Sequence, residues 1–357
     1  MKFDKFFLAQ EIQANLLEMK FFRTTDIQYK AIPAILNNED VLAIAQTGTG
    51  KTAAFAIPLT HLIHAKKKSK RNLGIKCLVL VPTRELAMQI GKVFNQITKK
   101  TKVNSFAIYG GVEQDPQISQ LSSGVDILIA TPGRMFDLIS QGHIKTNSID
   151  HLVLDEADQM LDLGFIEDIK NIKSRLKHRH QTLFFSATIN PTIKKLAYSQ
   201  IQSNALRIQV SPKDLVSKNV THSVTPVPMD SKRHLLVNFL KANPEAKTMV
   251  FVRTQVRAER VQAHLNKNSL HCVNLHGGLT QAQRAESLSD FKDNNCNILI
   301  ATDVSARGID IPGVSHVINY DLPDDPQNYV HRVGRTGRAF NFGDDALSFY
   351  APEEKEN

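Results

Sequence analysis

The sequence predicts an α/β protein of two tandem domains, each a mostly parallel sheet wrapped by helices. Three observations carry this expectation. The chain has 357 residues, more than one hydrophobic core ordinarily supports. Short, continuously apolar, β-rich runs recur, each followed by a helical pattern, and strands of that kind are covered on both faces. The runs also fall into two series, separated by a polar stretch with no period of its own.

The first series is VLAIAQ at 41–46, CLVLVP at 77–82, DILIA at 126–130, HLVLD at 151–155 and TLFFSA at 182–187. The second is TMVFV at 248–252, NILIA at 297–301, HVINY at 316–320 and ALSFY at 346–350. Between them lies SPKDLVSKNVTHSVTPVPMD with three prolines. The boundaries expected are a first domain over 1–207, a linker over 208–221, a second domain over 222–351 and a short tail over 352–357. No short repeat period is visible, which argues against a solenoid.

Hydrophobic residues make up 42% and charged residues 22%, ordinary usage for a globular chain. The formal charge of +9 favours an anionic partner, and by itself leaves nucleic acid and anionic membrane both open. The opening MKFDKFFLAQ interrupts its apolar residues with Asp4 and Lys5, unlike a signal peptide. No run approaches the ~18 apolar residues of a membrane span. Cys77, Cys272 and Cys296 are isolated, without zinc-site spacing, and read as buried, reduced thiols of a cytoplasmic protein. The run Lys66-Lys67-Lys68-Ser69-Lys70-Arg71 reads as a solvated loop.

Chemistry concentrates where strands end. The first run leads into Ala45-Gln46-Thr47-Gly48-Thr49-Gly50-Lys51-Thr52 and then an apolar helix, the strand-loop-helix setting of a phosphate-binding loop. The amides of Gly48, Thr49 and Gly50 can turn inward, and the helix N-terminus adds a favourable dipole. Lys51 is expected to reach the outer phosphates and Thr52 to offer its hydroxyl to Mg2+. Ala45 stands where the general pattern has glycine. Asp155, Glu156 and Asp158 crowd three carboxylates behind HLVL, an arrangement that suits a shared cation. Asp155 is expected to hold Mg2+ opposite Thr52, and Glu156 to orient or deprotonate water. The strand ends at TPGR and SAT point to the same rim.

With these motifs in view, the chain resembles the DEAD-box ATP-dependent RNA helicases from about residue 3 to residue 350, and among them a bacterial, RhlE-like member. Asp155-Glu156-Ala157-Asp158 spells the motif that names the family. In family order stand Gln28, AQTGTGKT, Pro82-Thr83-Arg84-Glu85-Leu86-Ala87, Gly110-Gly111, Thr131-Pro132-Gly133-Arg134 and Ser186-Ala187-Thr188. Then come Val250-Phe251-Val252, Gln281 with Arg284, Ala301-Thr302-Asp303 running on to Arg307-Gly308-Ile309-Asp310, and His331-Arg332-Val333-Gly334-Arg335-Thr336-Gly337-Arg338.

The resemblance implies two RecA-like domains facing each other across a cleft, with ATP and Mg2+ as cofactors. Gln28 would read the adenine edge and Phe21 give it apolar cover, while Gln46, Thr47, Gly48, Thr49, Gly50, Lys51 and Thr52 cradle the phosphates. Asp310 would contact the ribose, and Arg335 and Arg338 would act as arginine fingers. Asp158, Ser186, Thr188 and His331 would form an interdomain relay. RNA would lie on the opposite rim of the cleft, gripped through its backbone with little sequence preference by Arg84, Gly111, Thr131, Arg134, Arg284 and Thr302. Thr131 with Pro132 also reads as an ordinary helix cap. The segment Lys20-Phe21-Phe22-Arg23-Thr24-Thr25-Asp26-Ile27-Gln28 lacks the glycine and prolines usual before that glutamine, and Phe340 to Asp345 is bulkier and more acidic than usual.

The function implied is RNA-stimulated ATP hydrolysis coupled to local, non-processive unwinding of short RNA duplexes, or to remodelling of RNA–protein particles. It would proceed in a cytoplasmic monomer, with RNP or ribosome-assembly proteins as partners and no membrane. An ATP-gated RNA clamp with little unwinding and a DNA translocase are the alternatives; Glu156, Arg335 and Arg338 argue for turnover against the first, and the DEAD motif argues against the second.

Overall fold

The computed structural model describes residues 1–46, 48–67, 74–176, 178–210, 220–306, 309, 311, 313–336 and 344–352. The chain divides into two compact units, Met1–Ser211 and Pro212–Asn357.

In the first unit the strands are β1 Val41–Ala45, β2 Cys77–Leu80, β3 Ser105–Ile108, β4 Ile127–Ala130, β5 His151–Leu154, β6 Gln181–Ser186 and β7 Leu206–Val210. They form one sheet in the order β3-β4-β2-β5-β6-β1-β7, and every pairing is parallel. Successive side chains of a strand leave the sheet on opposite faces, so each strand feeds two cores. Val41, Ala43 and Ala45 of β1, with Cys77 and Val79 of β2, join one cluster together with Phe55 and Phe94. Leu42, Ile44, Leu78 and Leu80 join the other, against Met135, Met160 and Ile169. This two-sided burial is why the strands read as unbroken apolar runs.

The second unit repeats the plan with β8 Val220–Pro226, β9 Thr248–Phe251, β10 Val273–Leu275, β11 Ile298–Ala301, β12 His316–Asn319 and β13 Asp344–Tyr350. The order is β10-β11-β9-β12-β13-β8, again all parallel. Val250 and Ile300 face one core, Met249, Phe251 and Leu299 the other.

Two expectations need correction. The linker placed at 208–221 overlaps both sheets: β7 runs to Val210, paired with β1, and β8 begins at Val220, paired with β13. Both are edge strands with mostly exposed side chains, so no apolar run marked them. Lys67, assigned to a solvated loop, is buried. Its Nζ donates to both oxygens of Asp126 at 2.9 and 2.6 Å, and Asp126 Oδ2 also accepts from the Asn104 amide at 2.7 Å. Its neighbours 68–71 lie outside the described residues. The three cysteines are free and buried, as expected of them, and burial pushes each thiol upward, Cys272 to about 12.

Parallel strands deliver all their C-terminal ends to one rim, and strand order decides who meets whom there. On the first sheet β5, β6 and β1 are consecutive, which sets Asp155, Ser186 and the loop after Ala45 side by side. At the other end β3, β4 and β2 bring together the turns that carry Gly111, Thr131 and Arg84.

Candidate nucleotide and RNA sites on two strand-end rims

After β1 the chain makes a tight loop in which Gly48 and Gly50 hold φ of +81° and +89°. These left-handed values are open to glycine at little steric cost. The Thr49 hydroxyl donates to the Gln46 carbonyl at 2.7 Å and closes the turn. The helix Lys51–Lys66 starts directly behind, with Gly50 as its N-cap. Lys51 is 7% exposed, and its Nζ has no hydrogen-bond partner among the described residues. A buried ammonium without an acceptor is costly, and an anion between this amine and the helix N-terminus would satisfy it. Thr52 follows, half-buried, in the first turn. Thr47 lies outside the described residues.

Gln28 is buried behind this loop. Its Oε1 accepts from the Thr25 amide at 3.0 Å, completing a capping box, and its Nε2 donates to the Gly50 carbonyl at 3.1 Å. The segment before it, without its usual glycine and prolines, still delivers the glutamine to the phosphate loop. Phe21 stacks on Phe3, centroids 6.4 Å apart and planes at 22°, and packs half-buried on the first core. Its neighbour Phe22 is 62% exposed.

Asp155 follows β5 and is 2% exposed. Burial pushes its carboxyl above the ordinary carboxylate range, while the Lys51 charge and the Glu156 amide, which donates to Oδ1 at 3.0 Å, pull it back. A buried carboxylate facing a buried ammonium on a phosphate loop is a donor set that suits Mg2+, which takes one or two carboxylates and completes its shell with phosphate oxygens and water. Among the described residues no three His, Cys, Asp or Glu side chains group as a self-sufficient metal cage. Glu156 holds φ 49°, ψ 49°, left-handed backbone for a non-glycine residue, strain of the kind that clusters at functional sites. Asp158 Oδ2 accepts from the Ala187 amide at 3.1 Å, the Thr188 amide at 2.9 Å and the Thr188 hydroxyl at 3.0 Å, and Ser186 donates to the Thr188 carbonyl at 2.8 Å. Three of the four residues expected to form a relay, Asp158, Ser186 and Thr188, are thus bonded into one network.

At the far end of the same rim, Arg84 lies over the Tyr109 ring at 4.8 Å and its Nη1 donates to the Gly111 carbonyl at 3.3 Å. Arg134 Nη2 donates to the Val112 carbonyl at 2.7 Å. Arg84 Nε and Arg134 Nη1 have no acceptor among the described residues. Gly111 holds φ +76°. Thr131 occupies the N-cap of the helix Pro132–Ser140 with Pro132 in the first turn, but its side chain makes no capping bond.

In the second unit, Thr302 follows β11 and its amide donates to the Leu275 carbonyl at 3.2 Å, while Arg284 Nη1 donates to the His276 carbonyl at 3.4 Å. Both stand at the C-terminal rim of that sheet. Arg335 is buried, its Nη1 donating to the Ile309 carbonyl at 2.5 Å and its Nε to the His331 carbonyl at 3.3 Å. His331 is half-buried on the helix Pro326–Val333. Asp310 and Arg338 lie outside the described residues, as does most of the segment Phe340 to Asp345.

Comparison with known proteins identifies the family. Residues 25–196 match the DEAD/DEAH box helicase family and residues 231–340 the helicase conserved C-terminal domain. The DEAD-box ATP-dependent RNA helicase CshA of Geobacillus kaustophilus is 40% identical over 99% of this chain and 74% of its own length. CshA of Bacillus subtilis is 39% identical over 99% of this chain and 70% of its own. The chain belongs to the DEAD-box ATP-dependent RNA helicase family. Among solved structures, S. cerevisiae Dbp5 bound to RNA and ADP BeF3 matches with a TM-score of 0.86 at 31% identity, over 98% of this chain and 89% of that one. Mss116p bound to ssRNA and AMP-PNP matches with a TM-score of 0.88 at 29% identity, over 99% and 74%. The two units of this DEAD-box protein are RecA-like domains. Its relatives here carry the name CshA, which leaves the narrower RhlE-like expectation without support.

Two residues that organise this DEAD-box protein gave no signal in the sequence. Gln117 is buried and clamps the turn that carries Gly111: its Oε1 accepts from the Tyr109 amide at 3.1 Å, and its Nε2 donates to the carbonyls of Tyr109 and Glu113 at 3.2 and 3.3 Å. Asp321, fully buried after β12, accepts from the Arg253 amide at 2.9 Å and from Arg257 Nη1 at 2.6 Å. Asp321 acts across gaps of 68 and 64 positions, and Gln117 reaches back only eight and four, but no residue pattern marks either.

Proposed function

We propose that this chain hydrolyses ATP with Mg2+ in an RNA-stimulated cycle and uses it to separate short RNA duplexes locally, without processive translocation. The observation that carries the reading is the Lys51 ammonium, without a partner among the described residues and buried on a glycine loop beside the buried Asp155 carboxylate. Lys51 and the loop amides would bind the phosphates, and Thr52 and Asp155 would hold Mg2+, whose charge would neutralise the phosphate oxygens. Glu156 would orient the attacking water and take its proton.

The unused N–H groups of Arg84 and Arg134, beside the open Gly111 turn, suit sugar-phosphate oxygens and carry no base information. Arg284 and Thr302 would continue the grip on the second domain. The relay from Asp158 through Thr188 links the carboxylate end of the rim to the strand end after β6, and we extend it to His331 as the route by which the domains sense one another. Arg335, with Arg338, would complete the transition-state charge; Phe21 with Gln28 would face the base, and Asp310 the ribose. ATP and RNA would each favour the same closed arrangement, so binding one tightens the other. The Dbp5 and Mss116p structures, bound to RNA together with a nucleotide analogue, support a joint site. A cytoplasmic monomer acting on RNA or on RNA–protein particles such as assembling ribosomes is what the family resemblance supports.

The test is ATP turnover with and without single-stranded RNA, alongside strand separation on a short duplex. RNA is expected to stimulate turnover and DNA to do so far less. Folded protein whose ATPase ignores RNA would refute the reading; stimulated turnover without strand separation would favour the clamp.

A further inference from the structure

His276 follows β10 on the rim of the second domain, is 2% exposed, and has no hydrogen-bond partner at either ring nitrogen among the described residues. A neutral imidazole carries one donor and one acceptor, and burying both unmatched is unfavourable. The residue is nonetheless central. Its carbonyl accepts from the Leu279 amide at 3.3 Å and from Arg284 Nη1 at 3.4 Å, so one peptide fixes both the turn Gly277-Gly278 and the Arg284 guanidinium. Within the turn Gly278 lies close to the ring, whereas a Cβ at Gly277 would meet nothing within 4 Å. A Cβ at Gly278 would stand 3.3 Å from His276 Nδ1 and 2.9 Å from Gln255 Oε1. Behind the turn, Thr280 and Gln283 close a capping box that starts the helix Gln281–Lys292, and Arg284 rises from its first turn.

We propose that His276 is a positioning residue for the RNA-gripping rim of the second domain, a buried wedge beside Gly278 whose protonation loosens the hold on RNA. The inference rests on the helicase reading above, which gives Arg284 to RNA. Two charged groups face the ring from the helices packed on β10: Glu259 from Gln255–Lys267 and Arg284 from Gln281–Lys292. Burial is the main force holding the imidazole below its ordinary range; Glu259 opposes it and the Arg284 charge adds to it. A proton on the ring would place a second positive charge beside Arg284, with no acceptor at either nitrogen among the described residues. The turn would have to open to solvate it, and the shared carbonyl would move with the turn.

The sign follows. The open turn takes up a proton near the ordinary histidine value of about 6.5, and the closed turn only at lower pH, so closure is fully present above that value and is lost as pH falls below it. One proton limits the effect to about tenfold in affinity per pH unit.

The experiment measures the Kd for single-stranded RNA, with a non-hydrolysable ATP analogue and Mg2+, at pH 7.5 and 5.5 in the parent, His276→Phe and His276→Gln, together with the NMR titration of the imidazole. The proposal expects the ratio of the two Kd values to be severalfold larger in the parent than in either variant, and the His276 ring to titrate below the ordinary range. Parallel pH profiles in all three proteins, or a ring that titrates at or above about 6.5, would overturn it. Absence of RNA binding at pH 7.5 would sink the helicase reading and this proposal together, whereas RNA binding with parallel profiles would sink this proposal alone.

Discussion

Arg332 and Asp303 are joined at two points, Nε to Oδ1 at 2.6 Å and Nη2 to Oδ2 at 2.7 Å, across the end of the second sheet. Arg332 Nη1 also donates to Asn319 Oδ1 at 3.0 Å and to the Asp321 carbonyl at 2.7 Å, and its guanidinium lies over the Phe251 ring at 5.1 Å. One side chain therefore ties the strand ends after β9, β11 and β12 into a unit. The arginine is 2% exposed and the aspartate 25%. Removing one partner of such a pair strands the other charge at a cost of about 3 kcal/mol or more. Asp303→Asn is expected to destabilise the second domain by roughly that amount in urea unfolding, and Arg332→Lys by less, because lysine keeps the charge and loses only the two-point fork. The double variant should lose less than the sum of the two. Additive losses would mean that the pair is incidental.

Lys51 gives a prediction of opposite sign for stability and binding. Its buried ammonium has no partner among the described residues, so Lys51→Met should leave the melting temperature unchanged or raised. The same change removes a charged contact to phosphate, worth about 1.5–3 kcal/mol, or roughly 10- to 100-fold in affinity for an ATP analogue. Titration calorimetry beside a thermal melt reads both. Unchanged affinity would remove Lys51 from the phosphate site.

Gly50 and Gln28 should behave as a coupled pair. A Cβ at position 50 would fall 2.4 Å from Gln28 Nε2 and 3.2 Å from the Thr25 hydroxyl, on backbone at φ +89°. Gly50→Ala should therefore cost about 1–2 kcal/mol for the left-handed backbone and a further ~1–3 kcal/mol for the clash. In a Gln28→Ala background the second part should largely vanish. A cycle that closes to zero interaction would show that the glutamine does not brace the loop.

Glu156 is the test of chemistry as distinct from binding. Glu156→Gln keeps the size and backbone position of the side chain and removes the base, so nucleotide affinity should persist while RNA-stimulated hydrolysis falls by about 10²–10⁴-fold. Steady-state turnover beside analogue binding separates the two. Parental turnover would assign water activation to another group.

What the sequence determined and what it left to the tertiary structure divide along a physical line. All nine strands legible as apolar runs are interior strands of the two sheets, and the four that escaped notice, β3, β7, β8 and β10, are the four edges. An interior strand is covered above, below and on both flanks, so nearly every residue must be apolar. At an edge, β7 and β8 leave most side chains exposed, β3 is half-buried, and β10 has only three residues. The same line runs through the sites. The glycine loop after β1, the DEAD carboxylates and the SAT hydroxyls stood out because their residue types recur together at fixed short spacings. Which partner each would find was not: Asp158 meets Thr188 across 30 positions, Arg332 meets Asp303 across 29 and Lys67 meets Asp126 across 59. Strand order decides those meetings, and it is set by the packing of whole helices on both faces of a sheet.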